Sequence, residues 1–505
     1  MLIPSLLLTT GFTSSPSSTA SSESIHSSAK STIIQNSSNK ISKDLQNEFK
    51  KEEKVTFLIK LKEQVDTAKV AKEATATAKK QKLSSAKTTL TKRSSIVTNL
   101  RATAEETQHE LKNYLEKQEK AGNAEDIQSF YIVNGMAVTA TKEVMEQIAA
   151  FPEVEKISPN ETVHLIEPVK QSKAEKPLIE SNIKEKPSKI ETKAEASSIE
   201  WNIDKISAPQ TWAMGIDGAG TVIASIDTGV QWDHPTLKTK YRGYNPADPD
   251  NPNHEFSWFD ATSTNSSSAF DDNGHGTHTI GTMVGSEPNG ANQIGVAPGA
   301  KFIAVKALNA AGSGTQADLL EAGEYVLAPK DANGTPHPEY APDVVNNSWG
   351  GAAGLNEWYR PMVQAWKNAD IFPEFSAGNS GPGAGTVNAP SNYPESYATA
   401  ATDLNNALAS FSSRGPSPYE GVIKPNIAAP GVNIRSAIPG NGYASYNGTS
   451  MAGPHVSAVV ALLRQADSSL TVDQIEEIME LTATPLTDSA YPESPNYGYG
   501  HGLVN

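Results

Sequence analysis

Four short apolar runs, 222–226, 302–305, 344–346 and 371–374, recur through the C-terminal part of the chain, separated by stretches of helical character. Runs of this length without polar alternation read as strands buried on both faces, and their alternation with helices places them in one parallel α/β sheet. Sheets of that kind bind ligands beyond the carboxyl ends of their strands. The first run, Thr221-Val222-Ile223-Ala224-Ser225-Ile226-Asp227-Thr228-Gly229-Val230, ends on an acid and a glycine, so Asp227 stands at such a tip.

Two further segments carry chemistry. Asn447-Gly448-Thr449-Ser450-Met451-Ala452-Gly453-Pro454-His455 precedes the apolar run 456–463. A serine in a glycine turn ahead of a buried helix has its hydroxyl at a helix N-terminus, where backbone N–H groups can meet a developing oxyanion. Taken alone, that pattern is also what an ordinary Ser or Thr helix cap produces. Asn273-Gly274-His275-Gly276-Thr277-His278-Thr279-Ile280-Gly281-Thr282-Met283-Val284-Gly285 places a histidine in a glycine turn opening a helix of small residues, so Asp, His and Ser follow in that order. A serine hydroxyl is a poor nucleophile until a base accepts its proton. Imidazole, with an ordinary pKa of about 6.5, suits that role, and a carboxylate on its other nitrogen fixes the tautomer and stabilises the imidazolium.

With all three signatures present, the sequence resembles the subtilisin-like serine peptidases, whose carboxylate follows a hydrophobic strand, whose histidine lies in His-Gly-Thr-His and whose serine lies in Gly-Thr-Ser-Met-Ala-x-Pro. The resemblance covers residues 201–505 and, more loosely, 55–168. It implies a doubly wound, subtilisin-like α/β catalytic domain with Asp227, His275 and Ser450 as catalytic residues. It also implies that Asn379, in Phe372-Pro373-Glu374-Phe375-Ser376-Ala377-Gly378-Asn379-Ser380-Gly381, serves the oxyanion beside the Ser450 backbone N–H. Ser348, Trp349 and Gly350 match one wall of the primary substrate pocket, and Ser376, Ala377 and Gly378 the other. Gly312, Ser313 and Gly314 match a second edge strand, where an extended peptide adds by backbone pairing and the glycines admit its close approach.

Each assignment has a rival. His278, three positions after His275, could pair with it on a metal, but no Cys, no His-Glu-x-x-His and no third ligand accompany them, so a packed histidine is favoured. Asp233 and His234 belong to a Trp-Asp-His-Pro turn after the strand, and His455 packs inside the serine helix. Asp227-Thr228-Gly229 also fits an aspartic peptidase, which needs a second such carboxylate, and no second Asp-Thr-Gly exists. A secreted binding module that keeps the fold without activity is the non-enzymatic alternative.

Ahead of the catalytic region, residues 1–25 begin with the apolar Met1-Leu2-Ile3-Pro4-Ser5-Leu6-Leu7-Leu8 and read as a truncated secretory signal. The segment 26–53 is Ser/Thr-rich and expected to be disordered. Residues 54–167 show a strand at 55–61, a long Ala/Lys/Glu-rich helical stretch to about residue 120, strands at 130–133 and 136–139, a helix at 142–150 and a strand at 154–157. This is a small α+β, ferredoxin-like unit. By its position it resembles the inhibitory propeptide of the same family, which assists folding and blocks the cleft. Residues 168–199, rich in Lys, Glu, Pro and Ser, read as a charged linker, with activation cleavage expected near its end, before Trp201.

Composition narrows the rest. The chain has no cysteine, which excludes disulfides, a thiol nucleophile and Cys-based zinc. No run reaches about 18 apolar residues, so no membrane-spanning helix is expected. Residues 1–199 carry 29 Lys+Arg against 26 Asp+Glu, and residues 200–505 carry 13 against 31, so the halves can attract and the acidic catalytic half argues against nucleic acid.

The chemistry implied needs no cofactor. The acidic loop 244–255 and the pair Asp271, Asp272 supply oxygen ligands suited to a structural calcium. Yet Thr236 stands where many family members have a calcium-binding Asp, and the loop 286–293 also departs from theirs, so that particular site is expected to be lost and metal residues remain unknown. The segment 497–505 resembles the lead-in to the family's final helix, and the chain ends there, from which reduced stability is expected. The reading is a secreted, monomeric serine endopeptidase made as a zymogen, with protein and peptide substrates and its own propeptide as intramolecular inhibitor.

Overall fold

The computed structural model describes residues 39–169, 199–351 and 353–505. The expected signal segment, and all of the expected linker except Pro168, Val169 and Ile199, lie outside them.

In the N-terminal unit, β1 (Lys54–Leu61), β2 (Ala124–Phe130), β3 (Gly135–Thr141) and β4 (Val154–Pro159) form an antiparallel sheet in the order β2-β3-β1-β4. Residues 39–53, expected to be disordered, are ordered. Ser42 caps α1 (Lys43–Glu48), its N–H donates to Ile157 O at 3.0 Å, and Leu45 is fully buried, so one apolar side chain and one cap anchor an otherwise polar segment. The long helical stretch expected up to about residue 120 consists of two helices, α2 (Thr67–Lys80) and α3 (Ser85–Lys120). Lys82 takes a positive φ of 54° and Ser84 accepts from the Lys87 N–H, so a cap restarts the helix after a turn. The helix α4 (Lys142–Ala149) completes the unit, and β5 (Thr162–Leu165) leaves it.

The C-terminal unit begins with the short α5 (Trp201–Lys205) and α6 (Ala208–Ala213). Its centre is a seven-stranded, all-parallel sheet ordered β14-β13-β12-β10-β6-β8-β7, made of β6 (Val222–Asp227), β7 (Trp258–Asp260), β8 (Lys301–Lys306), β10 (Val344–Asn347), β12 (Phe372–Ser376), β13 (Tyr397–Thr402) and β14 (Ile427–Pro430). Strand side chains alternate between faces, and both faces are buried. Ala224, Ile226, Ile303, Val305 and Val345 pack with α8 (Gln316–Leu327) and α9 (Arg360–Asn368), whereas Ile223, Phe302, Ala304 and Val344 pack with α7 (His275–Val284) and α10 (Thr449–Ala466). The sequence reading of a doubly wound parallel sheet is thus what the chain forms. A hairpin of β15 (Ile434–Ile438) and β16 (Gly442–Tyr446) leads into α10, and α11 (Val472–Thr482) follows it. Between them, β9 (Ser313–Thr315) and β11 (Trp349–Gly350) are short edge segments, and β5 from the N-terminal unit lies between the two, antiparallel to both.

Candidate active site

Asp227 ends β6 at the carboxyl edge of the sheet, and His275 opens α7 after Gly274, whose φ of 102° turns the chain into the helix. The close approach of α7 to the strand tip depends on Gly276, where a Cβ would lie 2.2 Å from the Gly229 carbonyl oxygen. His275 Nδ1 lies 2.9 Å from both Asp227 oxygens, and both side chains are almost fully buried. The Thr228 N–H donates to Asp227 Oδ1 at 2.7 Å and the Thr279 hydroxyl to Oδ2 at 3.4 Å. With Nδ1 donating to the carboxylate, Nε2 is the proton acceptor, and it is buried with no hydrogen-bond partner among the described residues.

Ser450 is the second residue of α10, which packs against α7. Pro454 inside that helix has no N–H to return to the Ser450 carbonyl. Around the serine, Ser376 Oγ donates to Thr449 O at 3.0 Å, the Gly378 N–H donates to Thr449 Oγ1 at 3.1 Å, and Thr449 N–H and Oγ1 both reach Asn379 Oδ1, at 2.9 and 3.0 Å. With its oxygen engaged in this way, Asn379 directs its NH₂ into the cleft.

The cleft is filled by the chain itself. Leu165 pairs with Trp349, His164 with Gly350 and Ser313, Val163 with Gly314. Beyond β5, the Leu165 N–H donates to Gly312 O at 2.8 Å, the Ile166 N–H to Ser348 O at 3.0 Å and the Val169 N–H to Asn447 O at 2.7 Å. Ser450 Oγ donates to the Ile166 carbonyl at 2.9 Å, and Asn379 Nδ2 to the Glu167 carbonyl at 2.9 Å. The two glycines of the second edge strand differ. At Gly312 a Cβ would crowd Leu165 and Glu167, whereas at Gly314 it would strike the Ala307 carbonyl at 2.1 Å, so Gly314 is demanded by its own domain.

The rival histidines are structural. His278 Nε2 donates to Ile434 O and Ala444 O, both at 3.1 Å, its ring stacks on Tyr446, and burial pushes its pKa down to about 3. His455 donates from Nδ1 to Met451 O and accepts from Asn202, with its pKa lowered to about 4 by burial. His234 sits between Thr236 and Gly442 O. Three of the acids considered for calcium are likewise engaged. Asp271 accepts from Thr228, Gly274 and Thr277, Asp272 pairs with Lys306 at 2.6 Å, and Asp250 pairs with Lys238 at 2.9 Å. Among the described residues, no group of three or more His, Cys, Asp or Glu is placed to hold a metal.

Sequence reasoning did not single out Thr449 as the residue orienting Asn379, nor Ile166 and Glu167 as cleft occupants. The first is adjacent to the serine and could have been inferred; the second depends on pairing between segments remote in sequence.

Residues 218–502 match the Subtilase family, and residues 56–166 match Peptidase inhibitor I9. The chain belongs to the subtilase family. This subtilase is 56% identical over 475 residues, 92% of its length, to Bacillopeptidase F of Bacillus subtilis (strain 168), of which it spans 32%. It is 33% identical over 398 residues to M-protease of Shouchella clausii (strain KSM-K16), covering 76% of this chain and 92% of that protein. With Subtilisin Savinase of Lederbergia lenta it shares 34% identity over 311 residues, 61% of this chain and 98% of that one. An I9 inhibitor domain ahead of a subtilisin-like serine peptidase domain is the arrangement of a serine protease zymogen. No described helix is long and apolar enough to cross a membrane.

Proposed function

We propose that this subtilase is a secreted serine endopeptidase, working as a monomer on proteins and peptides through an acyl-enzyme at Ser450, and that its own N-terminal unit holds it as a zymogen. The observation that carries the reading is the Ser450 hydroxyl at 2.9 Å from the Ile166 carbonyl, next to the segment paired between two edge strands, with a histidine clamped by a buried carboxylate at the start of the packed helix α7. His275 Nε2 takes the proton as Ser450 Oγ attacks the carbonyl carbon, and Asp227 stabilises the imidazolium without itself becoming protonated. Asn379 Nδ2 and the Ser450 N–H hold the oxyanion. The imidazolium then protonates the departing amine, and water repeats the sequence on the acyl-enzyme to return free serine. None of these steps calls for a cofactor. Ser348, Trp349 and Gly350 with Ser376, Ala377 and Gly378 border the primary pocket, and Gly312, Ser313 and Gly314 hold the other side of the substrate strand.

The first bond cut is that between Ile166 and Glu167. Ile166 is held by Ser348 and faced by Ser450, and the next candidate bond would release a proline nitrogen. In the pose observed, Asn379 holds the Glu167 carbonyl instead of the Ile166 carbonyl, one peptide out of register for chemistry. That offset accounts for inhibition by an uncut tail, and cleavage follows when the Ile166 carbonyl enters the oxyanion site. Residues 199–200, beside which cleavage was expected from the sequence, are bound to Gln293 instead of lying in the cleft. A cut there is a later, intermolecular step.

The test is peptide hydrolysis and labelling by a serine-directed covalent inhibitor, comparing wild type with Ser450→Ala. One label at Ser450 and turnover only in wild type are expected. A folded wild type that is neither cut nor labelled would leave a catalytically silent binding module or trapped precursor as the better reading.

A further inference from the structure

An arginine joins three remote segments where the head of the catalytic domain meets its body. Ile199 bridges to Gln293, the Glu200 N–H donates to Gln293 O at 3.1 Å, and Trp201 Nε1 donates to Asn433 O at 3.3 Å. Arg435, on β15, places Nη1 at 3.0 Å from Glu200 Oε1 and Nη2 at 3.0 Å from Asn292 Oδ1, with its guanidinium carbon 4.2 Å from the centre of the Tyr443 ring. Asn292 in turn donates to Glu287 Oε1 at 2.7 Å, and the Tyr443 hydroxyl donates to the same oxygen at 3.3 Å. His234 meets the Tyr443 ring edge-on and accepts from Thr236 Oγ1, and the Ser286 N–H donates to Thr236 O at 3.1 Å.

Thr236 and the loop 286–293, where the family resemblance in the sequence implies a calcium site that this chain has lost, both lie in this junction. The residues present do not fit calcium, which takes six to eight oxygen ligands and favours carboxylates. Glu200 and Glu287, the carboxylates in these contacts, already accept from Arg435, Asn292 and Tyr443, and a fixed positive charge between them repels a second cation.

We propose that the Arg435 guanidinium is a built-in cation that fastens residues 199–201 to the loop 286–293 and so replaces a structural calcium at this junction. A guanidinium is planar, stays charged at any working pH, and offers its donors in a fixed fork that reaches a carboxylate and an amide oxygen together. A bound metal stabilises in proportion to the logarithm of its free concentration, whereas a covalently attached cation is present at every concentration. The head of the catalytic domain is therefore held in calcium-poor surroundings, and it stays held when the chain upstream of residue 199 is cut.

Hydrogen exchange of the segment 199–206 tests this in the full chain carrying Ser450→Ala, which prevents self-digestion and makes the readout independent of activity. Exchange is expected to be the same in EDTA and in millimolar calcium. Arg435→Met is expected to accelerate it about ten-fold or more under both conditions, the scale of losing one charge-assisted hydrogen bond. Adding Glu200→Gln to that variant should accelerate it by less than the two changes would if independent, because both remove the Arg435–Glu200 contact. Should Arg435→Met fail to fold, Arg435→Lys keeps the charge without the fork and is expected to give a smaller acceleration. Unchanged exchange in the arginine variant that folds, or slowing of the wild-type segment by calcium, would overturn the proposal.

Discussion

Two of the grips that the N-terminal unit has on the catalytic unit work by different physics. In the cleft, β5 and the residues after it are held mainly by backbone hydrogen bonds to β9, β11 and the Ser450 turn, contacts that any extended peptide could make. On the far side, α3 makes contacts specific to its side chains. Arg93 is buried and its guanidinium donates to Ala369 O at 3.0 Å, Ala341 O at 3.0 Å and Pro342 O at 2.8 Å, while Lys92 pairs with Asp370. Ile96, Val97, Leu100 and Ala104 join the apolar cluster of α8 and α9, whereas Leu111 and Leu115, farther along the same helix, belong to the core of the N-terminal unit. A helix of 36 residues, about 54 Å long, thus spans two cores. Blocking the cleft and retaining the blocking unit are separate tasks, and cutting the strand is expected to remove only the first grip.

The sharpest break in this comparison is Ser450→Ala, expected to lower turnover by about 10⁶ while leaving both grips in place, measured as peptide hydrolysis alongside co-purification of the N-terminal unit. Asn379→Ala comes next. It removes the proposed oxyanion donor and is expected to lower kcat by about 10²–10³ with little change in KM; a change in KM alone would mean that this amide only binds the strand. Arg93→Ala separates the grips. Release of the cleaved N-terminal unit should quicken by about ten- to a hundred-fold, the range for losing hydrogen bonds from a charged donor, with kcat of the freed enzyme unchanged. An unaltered release rate would show that Arg93 does not retain it.

A further prediction concerns the catalytic unit alone. Burial lowers the pKa of Lys424 to about 7, and its ammonium donates to Ser396 O and Asn426 Oδ1. The unfolded chain binds this proton up to about pH 10 and the folded chain releases it above about 7. The unfolded state therefore holds more protons across that window, and this group's contribution to stability rises with pH by up to about 1.4 kcal/mol per unit. Denaturant unfolding of Ser450→Ala with and without Lys424→Met, at pH 7 to 10, should show that rise only where the lysine is present. Equal slopes would contradict it.

Much of this was legible in the sequence where the determinants are local. Asp227 after a run of small and β-branched residues, and His275 and Ser450 in glycine turns opening apolar helices, declare their positions within ten residues. The break before α3 was also local, since Leu83-Ser84 followed by Lys87 is a cap that the Ala/Lys/Glu composition masked. What could not be read depends on partners far away in the chain. Ile166 faces Ser450 only because β5 slips between β9 and β11, Arg93 meets carbonyls some 250 to 280 positions on, and Arg435 meets Glu200 235 positions back. Leu45 shows the same limit, because one buried leucine anchors a segment whose composition is otherwise that of a disordered tail.

The most direct test is a time course of native and denatured mass on freshly folded wild type beside Ser450→Ala. The account predicts that the first new fragments end at Ile166 and begin at Glu167, that they remain one complex under native conditions, and that neither arises in the variant. A first fragment beginning near residue 199 with no species beginning at Glu167, or release of the N-terminal unit as soon as the bond is cut, would contradict it.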